Sequence, residues 1–453
     1  MFESAAVVGA APAIVVPDPA GGALGSATLA GWARRLARVD RAVGDGERVE
    51  QIRALEELKS AAAAAQAVVT ADLVVSQRAE QLAAGVPASE LGRGVAAQVA
   101  LARRVSPHQG SRHVGLALAL VHEMPATMAA LRAGQVSEWR ATIVARETAC
   151  LTRADRRVAD AELAGRLATL GDRQTEAAAR TVAYRLDPHA FTARSAGAVR
   201  DRRVTLRPAP DTMSRLAGFL PVAQGVAAHT ALARHADGLK AGGDPRSRGQ
   251  IMADTLVERL TGQATATATP VEVELVMTDR ALLAGGDEPA QLVGLGPLPA
   301  PAARDLLRDT DAQVWLRRLF TRPGDGALVA VESRRRLFPD GLRRLLILRD
   351  QTCRTPWCGA PIRHADHVLP AEAGGATSAA NGQGLCAACN HTKQVPGWRA
   401  RPGAGHTVEI TTPTGHNYTS RPPPLPGQRP PARPETMDDS FLEARLRRLL
   451  DVA

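Results

Sequence analysis

The chain is poor in aromatic residues, which make up 3% of its 453 positions. Proteins that bind single-stranded nucleic acid without sequence preference stack bases on aromatic side chains, so this composition argues against such a surface. Lysine is also rare, because only Lys59, Lys240 and Lys393 occur among 56 basic residues. The net charge of +10 is therefore carried by arginine in an Ala- and Gly-rich chain, and by itself it gives nucleic-acid binding only modest support.

Long apolar runs are missing as well. No stretch of eighteen or more continuous apolar residues occurs, so the sequence predicts no membrane span and no membrane partner. The apolar start, MFESAAVVGAAPAIVV, contains Glu3 and has no Lys or Arg ahead of the apolar run, which argues against a secretory signal. We therefore expect a cytoplasmic protein of ordinary globular composition.

Cysteine is scarce, but four of the five cysteines lie in one short segment as two pairs: Cys353 with Cys358, and Cys386 with Cys389. Clustered pairs indicate metal ligation, whereas a secreted disulfide scaffold would spread its cysteines along a small chain. Four thiolates at these spacings predict a closed, structural zinc site. The alternative is four buried thiols that are neighbours by chance. Cys150 stands alone in a helical pattern and is predicted to be a small buried hydrophobe.

The predicted fold class is α+β, with a mostly α-helical N-terminal domain that has β-hairpin insertions, followed by a small zinc-stabilised β-β-α domain. Helical periodicity runs from about Thr28 to Leu186. The predicted domains are a loose tail (1–27), a helical domain (28–200), its α+β continuation (201–338), the small domain (339–418), and a Pro-rich linker with a short C-terminal helix (419–453).

Local signals predict the elements within these domains. Helix caps are expected at Ser137, Thr152, Asp172 and Asp340, and helix breaks at Pro125 and Gly134. The segment RVTLRPAPDTMSRLAGFLP reads as two strands about a Pro-Asp turn, and a helix is expected over about 225–260. Further strands are predicted at 271–278 and 406–412, a hairpin with its turn at Pro323 to Gly326, and a helix over 441–450.

Between the cysteine pairs, the stretch RHADHVLP concentrates two histidines and an aspartate. A β-β-α unit can bring Asp366, at the start of a strand, and Asn390, from the helix, to one side of a divalent cation. Two protein oxygens leave most of the coordination sphere to water and phosphate, which suits Mg²⁺ or Mn²⁺. His367 can then take a proton from water as general base, while Asn381 orients its imidazole through the amide or main chain.

The segment CRTPWCGAPIRHADHVLPAEAGGATSAANGQGLCAACNHTKQVPGW resembles the HNH endonuclease motif. The chain from about Thr28 to Tyr418 is similar to actinobacterial proteins that join this motif to a long helical N-terminal domain of unknown function. The resemblance implies a ββα-metal nuclease fold, with Asp366 as metal ligand and His367 as general base. The middle Asn of the family corresponds to Asn381, and the last motif position, His or Asn in the family, corresponds to Asn390.

Some assignments stay open at this stage. His391 follows Asn390 and is the other candidate for facing the metal, and Lys393 is a candidate contact to a DNA phosphate or else part of a solvated helix face. The expected function is a metal-dependent DNA endonuclease, with homodimerisation through the helical domain among the roles considered for that domain. The alternatives are a non-catalytic zinc-dependent DNA-binding protein derived from such a nuclease and an RNA-directed nuclease.

Overall fold

The computed structural model describes residues 24–266, 274–308 and 338–426. The chain divides after Asp201 into two compact units. Helices dominate, and small antiparallel sheets lie in the C-terminal part, which agrees with the α+β expectation at this coarse level. Residues 1–23 of the predicted tail, the hairpin at Pro323 to Gly326 and the helix over 441–450 lie outside the described residues. The first helix begins at Ser26, within the predicted tail (1–27).

The first unit, as far as it is described, is built from helices alone. They are α1 (Ser26–Leu36), α2 (Asp45–Ala83), α3 (Val95–Arg103), α4 (Pro107–His122), α5 (Pro125–Arg132), α6 (Glu138–Glu147), α7 (Arg153–Leu167), α8 (Asp172–Leu186) and α9 (Pro188–Ala198). The long α2 packs against α4 and α5, and α6 packs against α8. Their apolar stripes meet in one core, whose largest fully buried side chains include Leu120, Met124, Leu131, Leu163 and Leu167.

Helix boundaries in this unit follow local chemistry. The hydroxyls of Ser137 and Thr152 cap α6 and α7 by accepting from backbone N–H groups, as predicted. The cap predicted at Asp172 is wrong by one position, because the extended Gly171 precedes α8 and the Gln174 side chain returns to its N–H. Gly134 ends α5 with φ of +74°, and a Cβ there would lie 2.6 Å from the Cβ of Glu57.

By length and composition, α2 is apolar enough to cross a membrane, as is the bent pair α4 and α5 if it counts as one span. The core helix of a soluble protein passes the same test, and residues of all three helices contribute to the core of this unit. Cys150, predicted to be buried, is half-buried and packs against the same core.

The second unit begins with short strands and with helices of varied length. They are β1 (Arg203–Pro208), β2 (Ser214–Phe219), α10 (Val222–Ala241), α11 (Arg248–Thr261), β3 (Leu275–Val276), α12 (Asp279–Leu283), β4 (Ala290–Leu292), β5 (Gly296–Leu298) and α13 (Ala300–Arg308). The predicted hairpin of β1 and β2 is confirmed. The helical stretch predicted over about 225–260 consists of two helices, because Gly243 with φ of +89° interrupts it and Ser247 caps α11 in a capping box.

Residues 338–426 carry the cysteine pairs. Their elements are α14 (Asp340–Asp350), β6 (His364–His367), β7 (Gly382–Leu385), α15 (Ala387–Lys393), β8 (Arg399–Pro402), β9 (Val408–Thr411) and β10 (Asn417–Ser420). Strands β6 and β7 form an antiparallel pair, and β8, β9 and β10 form a three-stranded meander. Asp340 begins α14 and follows the N-cap residue Pro339, one position away from the predicted cap.

Candidate functional site

The four clustered cysteines converge in space. Their Sγ atoms all lie within 4.8 Å of one another, and none is in a disulfide. The Sγ of Cys358 lies 3.8 Å from the Sγ of both Cys386 and Cys389. A tetrahedral zinc ion with Zn–S bonds of about 2.3 Å separates its sulfurs by about 3.8 Å. The cluster can therefore bind a metal such as zinc, as predicted from the spacing.

Local structure aims these thiols at one point. The N–H of Cys353 donates to the carbonyl of Ala360 at 2.8 Å, which closes the first loop, and Cys386 is the N-cap residue of α15. The Sγ of Cys386 accepts from the N–H of Cys389 at 3.5 Å. Hydrogen bonding, first of all with the thiol of Cys358, lowers the pKa of Cys353 to about 7. Hydrogen bonding, first of all with Cys353, also lowers the pKa of Cys386 but raises the pKa of Cys358 and Cys389. Thiolate is the form that binds metal, so a cation would have to displace the protons of the latter two thiols.

The hairpin beside the cluster has a fixed register. Asp366 pairs with Gln383, and His367 pairs with Gly382. We expected a strand that starts at Asp366, but β6 ends at His367, so both residues lie at its C-terminal end. On β7, a Cβ at position 382 would lie 2.7 Å from Cδ1 of Leu346. The close approach of α14 to β7 therefore requires glycine at this position.

Asp366 faces α15. Its Oδ2 atom lies 2.6 Å from Nζ of Lys393, and Nε2 of Gln383 donates to the same oxygen at 3.4 Å. The Lys393 ammonium also donates to the carbonyl of His367. The two side chains are largely shielded, with 16% of Lys393 and 22% of Asp366 exposed. Lys393 therefore does not lie on a solvated helix face but holds the end of β6, and its contact with a DNA phosphate stays a prediction.

His367 faces the other way, because successive side chains of a strand point to opposite faces. Its ring centroid lies 4.5 Å from that of Phe338, and its Nε2 shares a 2.8 Å hydrogen bond with the hydroxyl of Thr377. The residue is 9% exposed. The structure thus places Asp366 and His367 together at the strand end but with their side chains on opposite faces.

Asn381 fixes the loop that follows His367. Its Oδ1 accepts from the N–H of Leu369 at 2.8 Å, and its Nδ2 donates to the carbonyls of Leu369 and Ala376 at 3.0 and 2.9 Å. The Asn381 amide therefore binds the main chain of the loop and not the imidazole of His367. The hydroxyl that forms a hydrogen bond with this imidazole belongs to Thr377. Sequence reasoning missed Thr377, because nothing in AGGATSAAN distinguishes this hydroxyl from its neighbours.

Asn390 and His391 differ clearly. The Oδ1 atom of Asn390 is buried and has no hydrogen-bond partner, whereas His391 is exposed. Asn390 lies one helical turn before Lys393, so both belong to the face of α15 that is turned toward Asp366. Between the two candidates, the buried oxygen of Asn390, which has no hydrogen-bond partner, is the one suited to be a cation ligand.

A buried ionic network supports the hairpin from beneath. Arg349 donates to the carbonyls of Ala379 and Gly382 at 2.6 and 2.8 Å, and it pairs with Asp350 at 2.7 Å. Asp350 also pairs with Arg354 at 2.9 Å and accepts from the N–H of Gly384 at 2.7 Å. Burial lowers the pKa of Arg354, while the charge of Asp350 opposes that shift. The network fixes the main chain on both sides of Asn381.

The family comparison covers a part of the chain that ends before the cysteine cluster. The sequence pattern of a domain of unknown function, DUF222, matches residues 52–350, which end just before Cys353. A protein of Mycobacterium tuberculosis, "Uncharacterized protein Rv3776", is 34% identical over 139 residues, 30% of this chain and 25% of that protein. The match thus spans about a quarter of that relative's length. No solved structure matches the chain.

Proposed function

We propose that this chain, which belongs to the DUF222 family, is a metal-dependent DNA endonuclease of HNH type that hydrolyses phosphodiester bonds. The observation that carries the proposal is the β6–β7–α15 unit: Asp366 and His367 end β6, α15 contacts β6 and contains Asn390, and the same segment holds the cysteine cluster. Family context supports it, since DUF222 domains are typically found with HNH proteins.

A divalent cation would be held by Asp366 and Asn390. The buried, unpartnered Oδ1 of Asn390 and the carboxylate of Asp366 are oxygen ligands, the kind that Mg²⁺ and Mn²⁺ prefer. When bound, the cation would supply charge neutralisation at the phosphate and the departing 3′ oxygen. Structural zinc in the cysteine cluster would hold the two ends of the segment that carries these residues.

His367 would act as general base. Thr377 and the ring of Phe338 fix the imidazole plane, which is what proton transfer from a positioned water requires. In-line displacement needs the attacking and leaving oxygens on opposite sides of phosphorus. Side chains that leave the strand end on opposite faces suit this demand, with His367 on the attacking side and Asp366 on the leaving side. The Asn381 amide would keep Leu369, and with it the end of β6, in place.

A second candidate function is zinc-dependent DNA binding without catalysis. The ion pair of Asp366 with Lys393 favours it, because the carboxylate already has a cationic partner. The burial of His367 points the same way, since a base that water cannot reach cannot work.

Replacing His367 by Ala separates the two. We expect the wild-type chain with Mg²⁺ or Mn²⁺ to nick or cut supercoiled plasmid and leave 5′ phosphates, and His367→Ala to be slower by about 10²- to 10⁴-fold. His364→Ala is the matched control, because His364 is exposed on the same strand. DNA binding and zinc content should stay unchanged in both variants.

Wild-type protein that binds DNA but leaves it intact with either metal would favour the binding function. Parallel reactions on DNA and RNA of the same sequence distinguish a deoxyribonuclease from an RNA-directed enzyme, which the scarcity of aromatic residues disfavours.

A further inference from the structure

Lys393 occupies the position where a cation is needed. Its ammonium donates both to Oδ2 of Asp366, at 2.6 Å, and to the carbonyl of His367, so two oxygens at the end of β6 already surround a positive charge. The ion pair is shielded, with 16% of the lysine and 22% of the aspartate side chain exposed. An ion pair in such surroundings is screened less by salt than one on an open surface.

The ammonium and a divalent cation are competitors for Asp366. A divalent ion on the same carboxylate would lie within a few ångströms of the ammonium, and in a partly buried site that repulsion is strong. The lysine must therefore leave the carboxylate before a metal ion can bind it. Its long flexible stem allows this movement, which needs no change in the main chain of α15.

We propose that Lys393 is an internal cation that gates Asp366 and couples metal binding to DNA binding. A phosphate of the DNA backbone that accepts the Lys393 ammonium releases the carboxylate, so DNA strengthens metal binding, and by thermodynamic reciprocity metal strengthens DNA binding. This inference rests on the proposed function, because it assumes that the site takes a divalent cation and DNA. The proposal also gives one explanation for the phosphate contact predicted from the sequence and for the contact with Asp366 seen in the structure.

The choice of lysine in an arginine-rich chain fits this role. Only three of the 56 basic residues are lysine, and one of them lies here. A guanidinium would clamp the carboxylate through two parallel hydrogen bonds, whereas an ammonium is a single point charge that transfers more readily between acceptors. A residue that must exchange a carboxylate for a phosphate is better served by lysine.

Mn²⁺ binding to the full, zinc-loaded chain tests the proposal, with free Mn²⁺ followed by its electron paramagnetic resonance signal. All chains carry His367→Ala so that added DNA stays intact. We expect Lys393→Met to bind Mn²⁺ about 5- to 150-fold more tightly than the Lys393 parent in the absence of DNA. A short DNA duplex should tighten Mn²⁺ binding to the parent more than to Lys393→Met, which keeps only the contribution of phosphate oxygens that bind the metal themselves.

Three controls fix the interpretation. Lys240→Met removes an exposed lysine elsewhere and should behave as the parent, and Asp366→Asn should weaken Mn²⁺ binding in every background. Lys393→Gln repeats the neutral substitution, so that a folding defect of one variant, seen as lost zinc, does not decide the result.

Equal or weaker Mn²⁺ binding in both neutral variants would overturn the proposal. A DNA effect as large without Lys393 as with it, or an Asp366 site that takes no Mn²⁺ at all, would also overturn it. Failure of the proposed function would look different. In that case Mn²⁺ binding tightens in Lys393→Met as expected, but the chain with His367 intact cuts no DNA.

Discussion

The helical unit over 24–201 and the segment over 338–426 are stabilised in different ways. The first buries a continuous apolar core of leucine, alanine, valine and methionine side chains, and hydroxyl caps set its helix boundaries. In the second, the hydrophobic cluster around β7 consists of Leu385 and cysteine thiols. Apolar side chains such as Leu346 and Val368 are buried in this segment as well, but so are charged groups, among them Arg349, Asp350 and Arg354.

This difference indicates which region is better suited to hold a functional site. An apolar core tolerates single substitutions, because many side chains share the stabilisation and each contributes a few kcal/mol. A small segment held by thiolates and buried ion pairs has few contributors, each of them large and directional. Such a scaffold fixes main-chain positions closely, which is what a site at a strand end requires.

Removing one thiolate should have the largest effect and should separate the two regions completely. Structural zinc contributes about 10–16 kcal/mol to folding in small zinc domains. We expect Cys386→Ser to lose bound zinc and to expose residues 338–426 to protease and to hydrogen exchange, while the helical unit keeps its thermal unfolding transition. The zinc content is measured by elemental mass spectrometry, and the protection of each segment is measured by hydrogen exchange mapped along the chain.

Cys150→Ser is the matched control, since Cys150 packs on the helical core and lies far along the chain from the cluster. It should keep the full zinc content. If Cys386→Ser left the protection of residues 338–426 intact, the thiols would be packing groups and the comparison between the regions would fail.

An intermediate effect is expected at the buried ionic network. Arg349→Met deletes the donors to the carbonyls of Ala379 and Gly382, and it leaves Asp350 with one arginine instead of two. Removing one partner of a buried charge network costs about 3–5 kcal/mol. Hydrogen exchange should accelerate over 376–385, while zinc stays bound.

Arg343→Met controls for the loss of an arginine from the same helix, because Arg343 is exposed. Its exchange pattern should match the wild type. Unchanged protection over 376–385 in Arg349→Met would mean that β6 and the cysteine cluster hold the hairpin without help from below.

The sequence predicted much of this because its signals are local. Helical periodicity, the hydroxyl caps at Ser137 and Thr152, and the Pro-Asp hairpin each depend on neighbours in the chain, so they could be read without tertiary knowledge. The cysteine spacing worked for the same reason, since two short chelating loops need only one long-range contact.

The sequence could not predict which face of a strand a side chain lies on or which distant residue it contacts. The ion pair of Lys393 with Asp366 joins residues far apart in sequence, and the imidazole of His367 finds Thr377 only because the loop folds back. The end of β6 at His367 decides which face each side chain takes, and strand ends are set by pairing with β7. The Arg349 network was missed because a charged pair on a Leu-rich helix looks like a solvated face.

The smallest effect is expected at a helix cap in the tolerant region. Thr152 accepts from the N–H of Asp155 at 3.2 Å, and replacing an N-cap threonine by alanine costs about 1 kcal/mol. Thr152→Ala should shift the urea unfolding of the helical unit by that amount and leave zinc content and the exchange of residues 338–426 unchanged. Thr181→Ala, at an exposed mid-helix position, should stay within about 0.5 kcal/mol of the wild type. A loss of stability at Thr152 that spread into residues 338–426 would show that the two regions unfold together. Separate sources of stability therefore require that the effect of this small change stays within the helical unit.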